Sequence, residues 1–233
     1  MKLVFCALAL TASLSMSVDI TSSGEGSSGT NWQPSDSETL LWEQLPTGTP
    51  HGSQYFTDRY PDADAGVADD VMFASTTKAN KIKWWGGYFN TTASLPVVAP
   101  VEIYLYNDIG SGFCPTLPQH SSAIDSWMIG VGEYAEVADQ DNWLCTYEFP
   151  EWVVFEANVK YWIEIRKAYA FDPYGQYGFV ESDPGFLAHS VQGFDGLSIP
   201  WWTPLDAGAA FVLIWDDALA LEASTWADIK AIF

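Results

Sequence analysis

The chain has 233 residues, 48% of them hydrophobic, which is enough for one large domain with a sizeable core. Nine basic residues stand against 30 acidic ones, a formal charge of -21. That balance repels phosphates and anionic lipid, so nucleic acid and acidic membrane surfaces are excluded as partners, and an acidic solvating surface or cation binding is left.

In chain order, the first segment reads as a signal peptide over residues 1–17. Lys2 supplies the positive charge, Leu3 to Leu14 an apolar stretch too short to span a bilayer, and Ser15 and Ser17 the small residues before a cut ahead of Val18. No later stretch is long enough for a transmembrane segment, so the expected location is secreted or cell-surface. Residues 18–39, rich in Ser, Gly, Thr, Asp and Glu, read as a flexible leader. Removal of the signal peptide takes Cys6 with it and leaves Cys114 and Cys145. Two cysteines in an oxidising compartment are expected to pair, the alternative being two buried free thiols.

Residues 40–218 read as one all-β domain. The aromatic load is high, with 12 Trp, 11 Tyr and 13 Phe, and aromatic residues favour strands. Short apolar or alternating runs, punctuated by Gly, Pro, Asn and Asp, predict strands near 54–57, 67–73, 79–89, 101–107, 124–130 and 134–138. Further strands are predicted near 144–149, 159–168, 177–181, 188–191 and 209–216. Many short strands with turns between them predict a β-sandwich of jelly-roll type. Alternation assigns the faces. Ile82, Trp84, Val101, Ile103, Leu105, Tyr161, Ile163 and Ile165 point to the core. Lys81, Lys83, Trp85, Glu102, Tyr104, Tyr106, Lys160, Trp162, Glu164 and Arg166 point away from it. Residues 219–233 form a tail expected to be helical, because Thr225 and Asp228 match a capping box and Trp226, Ile229 and Phe233 share one stripe.

Several of these segments together carry a family likeness. Ala68-Asp69-Asp70-Val71 is followed by Ile82-Lys83-Trp84-Trp85-Gly86-Gly87-Tyr88-Phe89, then by Val101-Glu102-Ile103-Tyr104-Leu105-Tyr106-Asn107-Asp108 and the turn Gly110-Ser111-Gly112. Tyr161-Trp162-Ile163-Glu164-Ile165 and Ala209-Ala210-Phe211-Val212-Leu213 come later. The set resembles poorly characterised jelly-roll modules of secreted and cell-surface bacterial proteins, with Val71 where those modules carry Phe. The resemblance implies a β-sandwich and export. It implies no catalytic residues.

The motifs of common enzymes are missing. There is no G-x-S-x-G elbow, no H-E-x-x-H and no C-x-x-C, and His51, His120 and His189 are isolated from one another. The chain therefore reads as a non-enzymatic binding or adhesion module. The alternatives are a structural cell-envelope module and a glycoside-active enzyme using two of the many carboxylates. The expected partner is a carbohydrate or cell-surface polymer, held on an exposed face by Trp85, Tyr104, Tyr106 and Trp162, with Trp201 and Trp202 adding an edge. The competing expectation is that loops or the leader cover these rings. Asp58, Asp62, Asp64, Asp69 and Asp70 cluster before the Trp-Trp strand and could supply oxygen ligands to a structural calcium, against a plain solvated acidic turn.

Overall fold

The computed structural model describes residues 29–58, 64–109, 117–183, 189–194 and 202–219. They form the expected all-β sandwich. The first half of the chain supplies β1 (Glu38–Glu43), β2 (Pro46–Gly52), β3 (Gln54–Phe56), β4 (Ala65–Met72), β5 (Thr77–Phe89), β6 (Val101–Asp108) and β7 (Pro118–Ile129). The second half supplies β8 (Ala135–Asp139), β9 (Asn142–Phe155), β10 (Lys160–Tyr169), β11 (Gln176–Ser182), β12 (Val191–Phe194), β13 (Thr203–Pro204), β14 (Gly208–Ala209) and β15 (Phe211–Asp216). A helical turn follows at 217–219. The helix expected from Thr225 lies outside the described residues. Among the described residues no helix is long and apolar enough to cross a membrane.

An eight-stranded sheet runs β1-β15-β5-β11-β14, with β9 on the other side of β5, β8 beyond it and β2 against β11. A seven-stranded sheet runs β13-β12-β4-β3-β10-β6-β7. Both are largely antiparallel, and the short β3 runs parallel to β10. The main core lies between the sheets, where Ile82, Trp84, Phe155, Phe179, Phe211 and Leu213 of one meet Val67, Val71, Ile103, Ile163 and Ile165 of the other. These inward residues occupy alternate positions, as a pleated strand requires. β15 is apolar on both faces because Val212 and Ile214 are buried on the outer side as well.

One feature of the topology makes a recess. β2 belongs to the eight-stranded sheet, Ser53 turns the chain, and β3 belongs to the seven-stranded one. Ser53 holds this corner through its hydroxyl, which donates to the Ile165 carbonyl at 2.5 Å and accepts from the Val67 N–H at 3.0 Å.

Candidate functional site

The aromatic residues singled out in the sequence do not form one exposed face. Trp85 lies on the outer side of the eight-stranded sheet, whereas Tyr104, Tyr106, Trp162 and Trp202 gather on the outer side of the seven-stranded sheet. Trp85 and Trp162 are 0% exposed, Tyr106 4% and Trp202 7%. Tyr104 is only partly buried and stacks on Tyr106 at 6.0 Å. Trp201 lies outside the described residues.

The physical reason for the burial is local. Trp85 is covered by residues expected to be leader. Trp32 packs edge-on against it at 6.1 Å, and Asp139 accepts from the Trp85 indole at 2.8 Å, from the Asn31 N–H at 2.9 Å and from the Thr30 hydroxyl. Trp162 and Tyr106 are sealed by Trp202, Val191 and Leu117, and the Trp162 indole donates to Asp108 at 2.9 Å. The neighbouring charges do not keep these faces wet because they neutralise one another. Lys83 reaches Glu38 at 2.8 Å, Arg166 reaches Glu102 at 2.6 Å, and the Tyr106 hydroxyl donates to Glu164 at 2.6 Å.

The acidic cluster is dispersed in the same way. Asp69 shares the inward parity of Val67 and Val71, while Asp70 faces outward and meets Lys160 at 2.5 Å. Adjacent strand residues point to opposite faces, so these two carboxylates cannot hold one cation between them. Asp64 accepts from the Phe56 N–H at 2.6 Å, and Asp58 accepts from the Asp172 N–H at 3.4 Å. Asp62 lies outside the described residues. Among those described, no three His, Cys, Asp or Glu side chains converge as a metal site would require.

The expected disulfide is not formed. Cys145 is a free thiol buried in the core on β9, and Cys114 lies outside the described residues. The Cys145 sulfur is 3.9 Å from the Tyr177 hydroxyl, and burial pushes its thiol far above the ordinary range. Such a thiol is inert.

A recess opens at the β2–β3 corner. It is a cleft of about 270 Å³, bounded by Thr49, Pro50 and His51 on one side and by Gln192 and Phe194 on the other. Phe56, Phe89 and Tyr177 supply aromatic walls, and Gln54 and Gln176 add amides. Its polar groups differ in how far the protein uses them. Gln54 is spent on structure: its amide nitrogen donates to Tyr169 O at 3.1 Å and its oxygen accepts from the Tyr177 N–H at 2.7 Å. Gln192 donates to Gly52 O at 2.9 Å, which fixes its amide plane and leaves the oxygen for a ligand. Gln176 accepts from Asn90 at 3.1 Å, which leaves its NH₂. His51 is oriented by Glu181, 2.6 Å from Nε2, so Nδ1 is available. Glu181 is itself fixed by the Thr49 N–H at 3.0 Å.

Of the cleft residues, the sequence singled out His51 as an isolated histidine and Phe89 as the end of the Trp-Trp motif, neither of them as a ligand contact. The amides carried no motif, and the segment 46–52 showed no strand pattern. Comparison with family models, with curated proteins and with solved structures returned no match to this chain.

Proposed function

We propose that the chain is an exported, non-catalytic binding module and that the corner cleft holds one neutral sugar residue of a larger carbohydrate. The observation that carries this reading is the lining: amides from Gln176 and Gln192, an oriented imidazole at His51, and the rings of Phe89, Phe194 and Tyr177, with no carboxylate or ammonium among the described residues of the wall. Sugars present just this combination of faces, apolar C–H patches for rings and hydroxyls for amides and imidazole. The volume of about 270 Å³ lies at the small end of ligand sites and suits a single ring rather than a long stretch of polymer. An anionic ligand would find no cation among the described residues of the wall and would meet a chain of formal charge -21.

The test is a glycan array followed by calorimetric titration of any hit with the wild type and with Gln192→Ala and His51→Ala. Each of these side chains is partly exposed, so both variants should fold. Each is expected to weaken binding about tenfold, the worth of one net hydrogen bond of about 1.4 kcal/mol. Retained affinity in both variants would move the site away from the cleft, and silence across neutral glycans would remove the carbohydrate reading.

A further inference from the structure

Lys167 is the outlier of the sandwich interior. It follows Ile163 and Ile165 at alternate positions on β10, so it projects inward from the seven-stranded sheet, and its side chain is 0% exposed. There it meets Glu136 from β8 of the opposite sheet, with Nζ 2.6 Å from Oε2. Glu136 pairs across the ladder with core residue Cys145 and so shares its inward face.

The surroundings of this pair are mostly aromatic. The Lys167 nitrogen lies 5.1 Å from the Tyr88 ring centre, 5.4 Å from that of Tyr177 and 5.5 Å from that of Tyr134. One hydroxyl touches both partners: Tyr88 donates to Glu136 Oε1 at 2.6 Å and accepts from Lys167 Nζ at 2.5 Å. The Tyr134 hydroxyl donates to the Ala99 carbonyl at 2.9 Å and stands 3.4 Å from Glu136 Oε2.

We propose that Lys167 and Glu136 condense into an intramolecular isopeptide bond that ties the two sheets together. The atoms balance without any added reagent. Nζ attacks Glu136 Cδ, the Nζ–Cδ bond forms and one Cδ–Oε bond breaks. The departing oxygen leaves as water, carrying two of the three protons of the original ammonium, and the third stays on the amide nitrogen. Nothing is oxidised or reduced. Tyr88, in contact with both groups, passes the proton from nitrogen to the leaving oxygen.

Three physical features favour the step. Taking two ions out of water is costly even when they are paired, whereas an amide carries no net charge and the released water returns to bulk. Burial disfavours the ammonium and holds Lys167 below its ordinary value, although Glu136 acts in the opposite sense, so the nucleophilic amine is accessible. The reacting groups are already in contact and immobilised by packing, which removes the entropy cost of bringing them together.

The experiment is mass spectrometry of tryptic peptides from the denatured full-length protein. A branched species is expected that joins the Glu136 segment to the Lys167 segment and is lighter than their sum by one water. Glu136→Gln should give the same branched product with loss of ammonia instead. Lys167→Met should give only the unjoined Glu136 peptide. Separate Glu136 and Lys167 peptides at full mass in the wild type would overturn the proposal, whatever the variants do. A branch that persists in Lys167→Met would overturn it as well.

Discussion

Asp69 lies wholly inside the sandwich, taking N–H donors from Ala209 at 2.6 Å, from Asp70 at 2.8 Å and from the Gln44 amide at 3.0 Å. Burial penalises its charged form more than these donors favour it, and the carboxyl is pushed up to about 7. Such a group binds a proton more tightly in the folded chain than in the unfolded one. Its contribution is therefore full at low pH and is lost as pH rises from about 4 to about 7, by at most about 4 kcal/mol. Asp69→Asn cannot ionise, so its unfolding free energy in urea should be flatter than the wild type over that interval; parallel curves would refute this. Glu38, Asp139 and Asp216 act in the opposite sense. Burial alone would raise each, but hydrogen bonds from Lys83 and Lys81, from Thr30, Asn31 and Trp85, and from Lys81 respectively hold them below the usual range. The stability they confer is present at neutral pH and lost on acidification through those lowered values. At Trp85 and Trp162 the consequence of burial is direct. Replacing either by Ala should cost about 3–5 kcal/mol in urea denaturation, as for any large core residue, and a cost under about 1 kcal/mol would mean the ring is solvated.

Among the elements, β5 organises the eight-stranded sheet. Its first part pairs with β15 through Lys81–Trp84 and its last part with β11 through Gly86–Phe89, while β9 runs along the other side. Gly86 sits at that hand-over, where a Cβ would lie 2.1 Å from the Tyr177 hydroxyl. Gly86→Ala must displace Tyr177, which also accepts from the Trp84 indole at 2.9 Å, and should cost about 1–3 kcal/mol in thermal or urea unfolding. An unchanged midpoint would show that Tyr177 yields without loss. The inner faces of β5, β6 and β10 could be read from the sequence because period-two alternation depends on neighbours alone. β2 could not, since Pro46, Gly48, Pro50 and Gly52 look like turn residues. Gly48 is there because the Glu181 carboxylate occupies the space of its side chain, a contact 133 residues away along the chain. The outer faces misled for a related reason. Charge on a strand signals water only when its counter-charge is absent, and Glu38, which neutralises Lys81 and Lys83, comes from β1, a stretch with no strand signal of its own. Lys167 had a legible signal: a cation on the core parity of a strand otherwise bearing Tyr161, Ile163 and Ile165.

For the whole molecule, burying ion pairs leaves the formal charge of -21 unchanged, because each cation takes a carboxylate with it. Lys81, Lys83, Lys160, Arg166 and Lys167, five of the nine basic residues, are turned to carboxylate partners in or near the interior. Repulsion among the remaining carboxylates is long-range and screened by salt, whereas the buried pairs are screened far less. Raising sodium chloride from about 0.01 M to about 1 M, which shortens the screening length about tenfold, should therefore raise the melting temperature. A fall would mean that exposed ion pairs dominate. The pairing of β1 with β15 has a different kind of consequence. Glu38 lies opposite Asp216, and Leu40 opposite Ile214, so a strand made early stays without its partner until nearly all the described chain exists. A sandwich closed by contacts this distant in sequence folds slowly, because the loop-closure entropy must be met before the contacts reward it. Until residues 211–216 have been made, β1 therefore has an open edge and the eight-stranded sheet is incomplete.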